Sequence, residues 1–157
     1  MRRVSHVQGG SDPIGTAMSL KPRALVVDVE PLLVHWKSPK AQLQQRVPQI
    51  CELIGPDVSV IFCTNSSRTI PEALIPERAG FIMDAHKPWS IAWAQGLPQP
   101  IVFVGDTVLT DGVCAWRINA TFVEVGHPAA SVPLWPRVQR RIRGNVATLM
   151  RLRLRKV

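Results

Sequence analysis

Apolar positions along this chain come in blocks. Arg23 to Asp28 (RALVVD), Val58 to Cys63 (VSVIFC), Ile101 to Val104 (IVFV) and Ala120 to Val125 (ATFVEV) are short, mostly apolar runs. That pattern is expected of strands covered on both faces of a parallel sheet. Between the first two runs, Leu43, Val47, Ile50, Cys51 and Ile54 recur at helical spacing up to Gly55, behind Ser38-Pro39 as an N-cap and first helical residue. Pro48 falls inside that helix and predicts a kink or a later start. Further helices are expected over Pro71 to Arg78, from Pro88 through Trp93 and from Thr110 to Asn119, with a short strand at Phe81 to Met83. Trp89 and Trp93 are four residues apart on one predicted helix face and, like Trp116, are expected to pack into the core. Strand alternating with helix predicts an α/β protein, a three-layer sandwich around a mostly parallel sheet.

Residues 1–20, with Gly9, Gly10, Ser11, Asp12 and Pro13, lack periodicity and read as a flexible leader. Residues 21–136 hold the α/β domain, and 137–157 form a basic amphipathic segment. Charge sharpens that last boundary. Eight of the 19 basic residues, and none of the 11 acidic ones, lie from Arg137 onward, so the body is neutral and the tail carries the whole net charge of +8. Val138, Ile142, Val146, Leu149 and Met150 share one helical stripe among the arginines, and Arg151 to Arg155 then alternate with leucine like a strand. The tail is open to three readings: an interfacial helix on anionic lipid, a nucleic-acid arm, or a segment with no binding role, either a helix packed on the sheet with a solvated basic face or a disordered end.

At 157 residues, 46% of them hydrophobic, the chain is long enough for one buried core. Cys51, Cys63 and Cys114 are widely spaced within apolar runs and fit reduced thiols rather than a disulfide frame. No apolar run approaches the roughly 20 residues of a membrane span, and residues 1–20 lack the apolar centre of a signal peptide. The expected location is the cytoplasm, with peripheral membrane contact through the tail as an option.

Chemistry enters at the strand ends. Four loops carry polar groups in chain order: Asp28 with Glu30, Thr64 with Asn65, Lys87, and Asp106 with Asp111. In an open parallel sheet all four meet at the carboxyl edge, where ligands bind. A carboxylate nucleophile, a hydroxyl and amide to grip an oxyanion, a lysine to neutralise charge and acids to hold a hard cation are the parts that phosphoryl transfer needs. Each residue taken alone has a blander account, as a turn former, a helix cap or a solvated charge, and their convergence is what marks them. His35, His86 and His127 lack metal-ligand spacing, and only His86, beside Lys87, is placed at the mouth of the site. Arg68 is a candidate for the leaving-group side of a substrate.

The order DxE, TN, KP and GDxxxTD resembles the four motifs of the haloacid dehalogenase superfamily. TNSSR, AHKPWS and GDTVLTD resemble most its capless subclass IIIA branch, which includes phosphatidylglycerophosphate phosphatases. The resemblance spans about residues 23–128. It implies a Mg²⁺-dependent phosphatase in which Asp28 attacks phosphorus to form an aspartyl-phosphate and Glu30 serves as acid and base. Mg²⁺ would be held by Asp28, the Glu30 backbone carbonyl and Asp106, with Asp111 orienting metal waters or Lys87. Thr64 and Asn65 would bind the phosphoryl group, and Lys87 would hold it together with the nucleophile.

The first motif departs from the usual DxDxT: Glu30 stands at the acid/base position and Leu32 where a threonine is usual. The extra methylene of glutamate moves the carboxyl by about a bond length, and a misplacement of ~1 Å costs on the order of a hundredfold in rate. The alternative function is therefore a catalytically impaired domain of the same fold that engages membrane or nucleic acid through its tail. About thirty residues separate Glu30 from Thr64 and about twenty separate Thr64 from Lys87, too few for a cap domain. An open site favours a phosphate on something large, such as a lipid head group, with a partner subunit as another way to cover it.

Overall fold

The computed structural model describes residues 6–35 and 38–126. Its elements are β1 (His6–Gln8), α1 (Pro13–Ser19), β2 (Ala24–Asp28), α2 (Lys40–Ile54), β3 (Ser59–Cys63), β4 (Ala79–Ile82), β5 (Ile101–Gly105), α3 (Val113–Arg117) and β6 (Thr121–Glu124). The six strands form one sheet in the order β1-β6-β5-β2-β3-β4, with every neighbouring pair parallel. Strands β2 and β5 are buried at every position, which explains their uninterrupted apolar sequences.

Side-chain alternation divides the core into two layers. On one face Leu25, Val27, Val60, Phe62, Val102, Val104 and Val123 pack with Ile14 and Ala17 of α1 and with Leu43, Val47, Cys51 and Ile54 of α2. On the other, Ala24, Val26, Ile101, Phe103 and Phe122 pack with Cys114 and Ala115 of α3, and Trp93 meets Phe103 edge-on. The result is an α/β sandwich with helices on both faces of the sheet. Each fully buried aliphatic or aromatic side chain contributes roughly 1.5–3 kcal/mol.

Helix α2 forms where the stripe predicts it, runs through Pro48 and ends at Gly55, whose φ of 81° lies in the left-handed region that favours glycine at a helix C-terminus. Its N-cap is Pro39, with no side-chain cap. The other expected helices need correction. Pro71 to Arg78 holds only a 3₁₀ turn over Glu72–Leu74, because the chain must already extend at Ala79 to enter β4. Pro88 to Trp93 holds turns and a second 3₁₀ piece, Ala92–Ala94. Without a helix there, Trp89 is 83% exposed instead of buried, and Trp116 is 46% exposed on the outer side of α3.

The flexible leader is also corrected, over 6–20. His6–Gln8 joins the sheet edge as β1, in register His6↔Phe122 to Gln8↔Glu124. His6 stacks on Phe122 and, with Gln8, hydrogen-bonds the buried Glu124 carboxylate at 2.9 and 3.1 Å. Asp12 then caps α1, accepting from the Gly15 N–H at 2.8 Å, with Pro13 in the first turn. The basic segment 137–157 lies outside the described residues. Among the described residues no helix is long and apolar enough to cross a membrane.

Candidate functional site

The chain runs β2, β3, β4 outward on one side of the sheet, then returns to β5 and β6 on the other. The crossovers therefore diverge between β2 and β5, the switch point where open α/β sheets leave a crevice at their carboxyl edge. Register decides what lines it. Val27 pairs with Val104 and Asp28 with Cys63, so Asp28 sits level with Gly105, and Thr64 and Asp106 lie one residue further out on either side. Asp28, Glu30, Thr64, Lys87, Asp106 and Asp111 are all buried, an unusual density of polar groups for an interior.

Lys87 is the centre of this cluster. Its Nζ donates to Asp28 Oδ1 at 2.7 Å and to Asp111 Oδ1 at 2.8 Å, and lies 5.7 Å from the centroid of the Phe103 ring, within cation–π range. The loop after β4 brings it there. Asp84 N–H donates to the Ser66 carbonyl and Ala85 N–H to the Thr64 carbonyl, while Asp84 and His86 adopt φ of 46° and 50° to turn the chain inward. Asn65 then clasps the Lys87 backbone, donating to its carbonyl at 2.9 Å and accepting from its N–H at 2.7 Å. Asn65, expected to grip phosphate, is engaged in this clasp instead.

Asp111 reaches the cluster from a π-helical turn, Val108–Gly112, that precedes α3. The continuous helix expected from Thr110 to Asn119 is thus two elements, and the wider turn aims the carboxylate back at the strand end. Thr107 N–H donates to Asp111 Oδ2 at 3.2 Å, and Thr107 Oγ1 donates to Asp106 Oδ1 at 2.7 Å. Gly105 is what lets Asp111 in: a Cβ there would sit 2.6 Å from Asp111 Oδ2 and 2.7 Å from its Cβ and Cγ. Thr107 was absent from the sequence-based candidates, although its place inside GDTVLTD was the available signal.

Carboxylate oxygens of Asp28, Asp106 and Asp111 come within 4.8 Å of one another. Three buried acids around one ammonium leave the site short of positive charge. Burial and the charge of Asp111 push the Asp28 carboxyl well above its usual range, and Lys87 only partly offsets them. Burial disfavours the Lys87 ammonium, but the Asp111 and Asp28 carboxylates outweigh it and hold its pKa well above the ordinary lysine value. An all-oxygen donor set with surplus negative charge fits a hard divalent cation.

The side chain of Glu30 stands outside that trio. Its Oε2 accepts from Thr64 Oγ1 at 2.5 Å, and its Oε1 accepts from Ser66 Oγ at 3.0 Å and faces Arg68 Nε at 3.4 Å. Ser66 N–H in turn donates to Thr64 Oγ1 at 2.9 Å. Ser66 was missed in the sequence, and the serine pair after Thr64-Asn65 was its only signal. His86 is exposed beside Lys87, at the rim. Comparison of the chain with known families, curated proteins and solved structures finds no match.

Proposed function

We propose that this chain is a Mg²⁺-dependent phosphomonoester hydrolase of the haloacid dehalogenase type, acting through Asp28. The observation that carries the reading is the convergence, at the switch point, of a buried Asp28 bonded to Lys87 with two further acids within ligand distance of it. Phosphoryl transfer is mostly positioning and charge stabilisation, and this cluster offers both. Mg²⁺ bound by Asp28, Asp106 and Asp111, with the Glu30 backbone carbonyl that the resemblance adds, would neutralise charge on the phosphoryl oxygens.

The chain's own groups have distinct tasks in this reading. Lys87 holds Asp28 Oδ1, which fixes the carboxylate and leaves Oδ2 to attack phosphorus. The same ammonium offers its remaining donor capacity to a phosphoryl oxygen. Asp111 and Phe103 keep Lys87 charged and in place. Thr64 lies next to Asp28 on the neighbouring strand end, where its hydroxyl flanks the incoming phosphoryl group. The stretches between the first three loops contain α2, β3 and β4, which belong to the sandwich itself, and this supports an uncapped site open to large phosphorylated substrates.

Phosphate release from a panel of aryl, sugar, nucleotide and lipid phosphates, with and without Mg²⁺, tests the proposal. Metal-dependent release that Asp28→Asn abolishes is expected. A folded wild-type protein with no metal-dependent turnover on any member would instead favour the impaired binding domain.

A further inference from the structure

From the bonding of Glu30 we infer that the substrates of this site are phosphates whose leaving group departs without a proton: acyl phosphates, aryl phosphates and phosphoanhydrides. The inference rests on the hydrolase reading and narrows it. A group that protonates a departing alkoxide must present itself to the substrate oxygen within hydrogen-bond reach. Both oxygens of Glu30 are instead taken by donors of the β3 loop: Oε2 by the Thr64 hydroxyl at 2.5 Å, and Oε1 by the Ser66 hydroxyl at 3.0 Å and the Arg68 guanidinium at 3.4 Å. An arginine can only donate, and the Thr64 oxygen accepts from Ser66 N–H at 2.9 Å and lies 2.9 Å from Ser66 Oγ, so the Glu30 carboxyl is held in a closed network of the β3 loop, apart from the acids around Lys87.

Glutamate, one methylene longer than aspartate, spans from the end of β2 to the loop after β3 and ties Thr64, Ser66 and Arg68 together. Glu30 is on this account a positioning residue for Thr64. Among the described residues, Asp106 and Asp111 are the acids grouped with Asp28, and the hydrolase reading gives both to the metal rather than to the leaving group.

The chemistry balances without a proton donor. Asp28 Oδ2 forms a bond to phosphorus as the bond from phosphorus to the leaving oxygen breaks, and that oxygen leaves with the electron pair as a phenolate, carboxylate or phosphate. Water then attacks the phosphorus of the aspartyl-phosphate. The bond from phosphorus to the Asp28 oxygen breaks, the carboxylate is regenerated, and the water's proton leaves on inorganic phosphate.

The test is kcat/KM with Mg²⁺ for acetyl phosphate, a series of substituted phenyl phosphates and an alkyl phosphate, using wild type, Glu30→Gln and Glu30→Asp. Wild type should favour nitrophenyl over alkyl phosphate by about a hundredfold or more beyond their difference in phosphate affinity, since general acid catalysis, where present, contributes 10²–10⁴-fold. Both variants should lower every rate by a common factor of about ten, the loss of a charged hydrogen bond, and leave the dependence on leaving group unchanged. Thermal melting of each variant establishes that it is folded, and the wild-type series stands without them. Comparable wild-type rates on alkyl and aryl esters, a selective loss of alkyl turnover in Glu30→Gln, or a selective gain in Glu30→Asp would each overturn the inference. Absence of release from every compound would sink the hydrolase reading itself and this inference with it.

Discussion

Asn65 holds Lys87 by its backbone rather than its side chain: one amide accepts from the Lys87 N–H at 2.7 Å and donates to the Lys87 carbonyl at 2.9 Å. This clasp joins the loop after β3 to the loop after β4. It fixes where the lysine stem begins, and so where its ammonium ends between Asp28 and Asp111. Asn65→Ala should therefore keep the fold, losing about 1–3 kcal/mol of stability. Turnover should fall on the order of a hundredfold, because a misplacement of ~1 Å at a reacting centre has that effect. Denaturant unfolding and steady-state kinetics on one preparation check both numbers, and unchanged kcat would contradict the role.

Metal binding should register as stability before any turnover is sought. A cation that binds only the native state adds about 2.7 kcal/mol at a hundredfold excess over its Kd. Calorimetry should show Mg²⁺ raising the melting temperature of wild type but not of Asp106→Asn. Gly105→Ala should also lose the response, since its Cβ would displace Asp111, and overpacking of this kind itself costs about 1–3 kcal/mol. A full Mg²⁺ response in Gly105→Ala would show that Asp111 is not needed for the metal.

The raised pKa of Asp28 fixes the sign of a pH effect in metal-free buffer. Burial and the Asp111 charge make the native group hold its proton more tightly than the unfolded chain does. As pH rises from about 4 toward the native pKa, the unfolded state loses that proton first and the native state is disfavoured. Asp28→Asn cannot ionise and should gain stability relative to wild type across this window. Urea titrations of both proteins at several pH values measure the difference, and a flat difference would refute it.

The thiols should be silent in the folded protein. Burial raises Cys51 and Cys63, the latter beside the acid cluster and well above the ordinary thiol range, and burial with the charge of Asp111 pushes Cys114 up to about 11. A thiol reagent at pH 8 should modify none of the three in native protein within minutes and all of them in denaturant. Rapid labelling of Cys63 without unfolding would mean that the strand end is not packed as described.

Much of this was legible in the sequence, for definite reasons. Strands β2 and β5 are covered on both faces, so ALVVD and IVFVG are apolar throughout and announce themselves. The polar residues at their ends then follow from parallel topology. Strand β1 was not legible: in HVQ only one residue is apolar, and what holds it, pairing with β6, the Phe122 ring and the Glu124 carboxylate, lies more than a hundred residues away. The prolines at 71 and 88 gave helix-start signals, but nothing local says that one turn will suffice before β4 or after Lys87. Side-chain bonds were the least readable part. Glu30 and Asn65 stand out in the sequence as polar residues after strands, yet what each one bonds to depends on neighbouring strand ends rather than on their own segments.

The central claim is that Asp28 is the nucleophile. Incubation with a nitrophenyl phosphate and Mg²⁺, followed by acid quenching and mass spectrometry of the peptides, tests it most directly. A phosphoryl adduct on Asp28 that forms only with metal, decays on turnover and is missing from Asp28→Asn is the predicted result. Metal-dependent phosphate release with no adduct on Asp28, or equal release by Asp28→Asn, would contradict it.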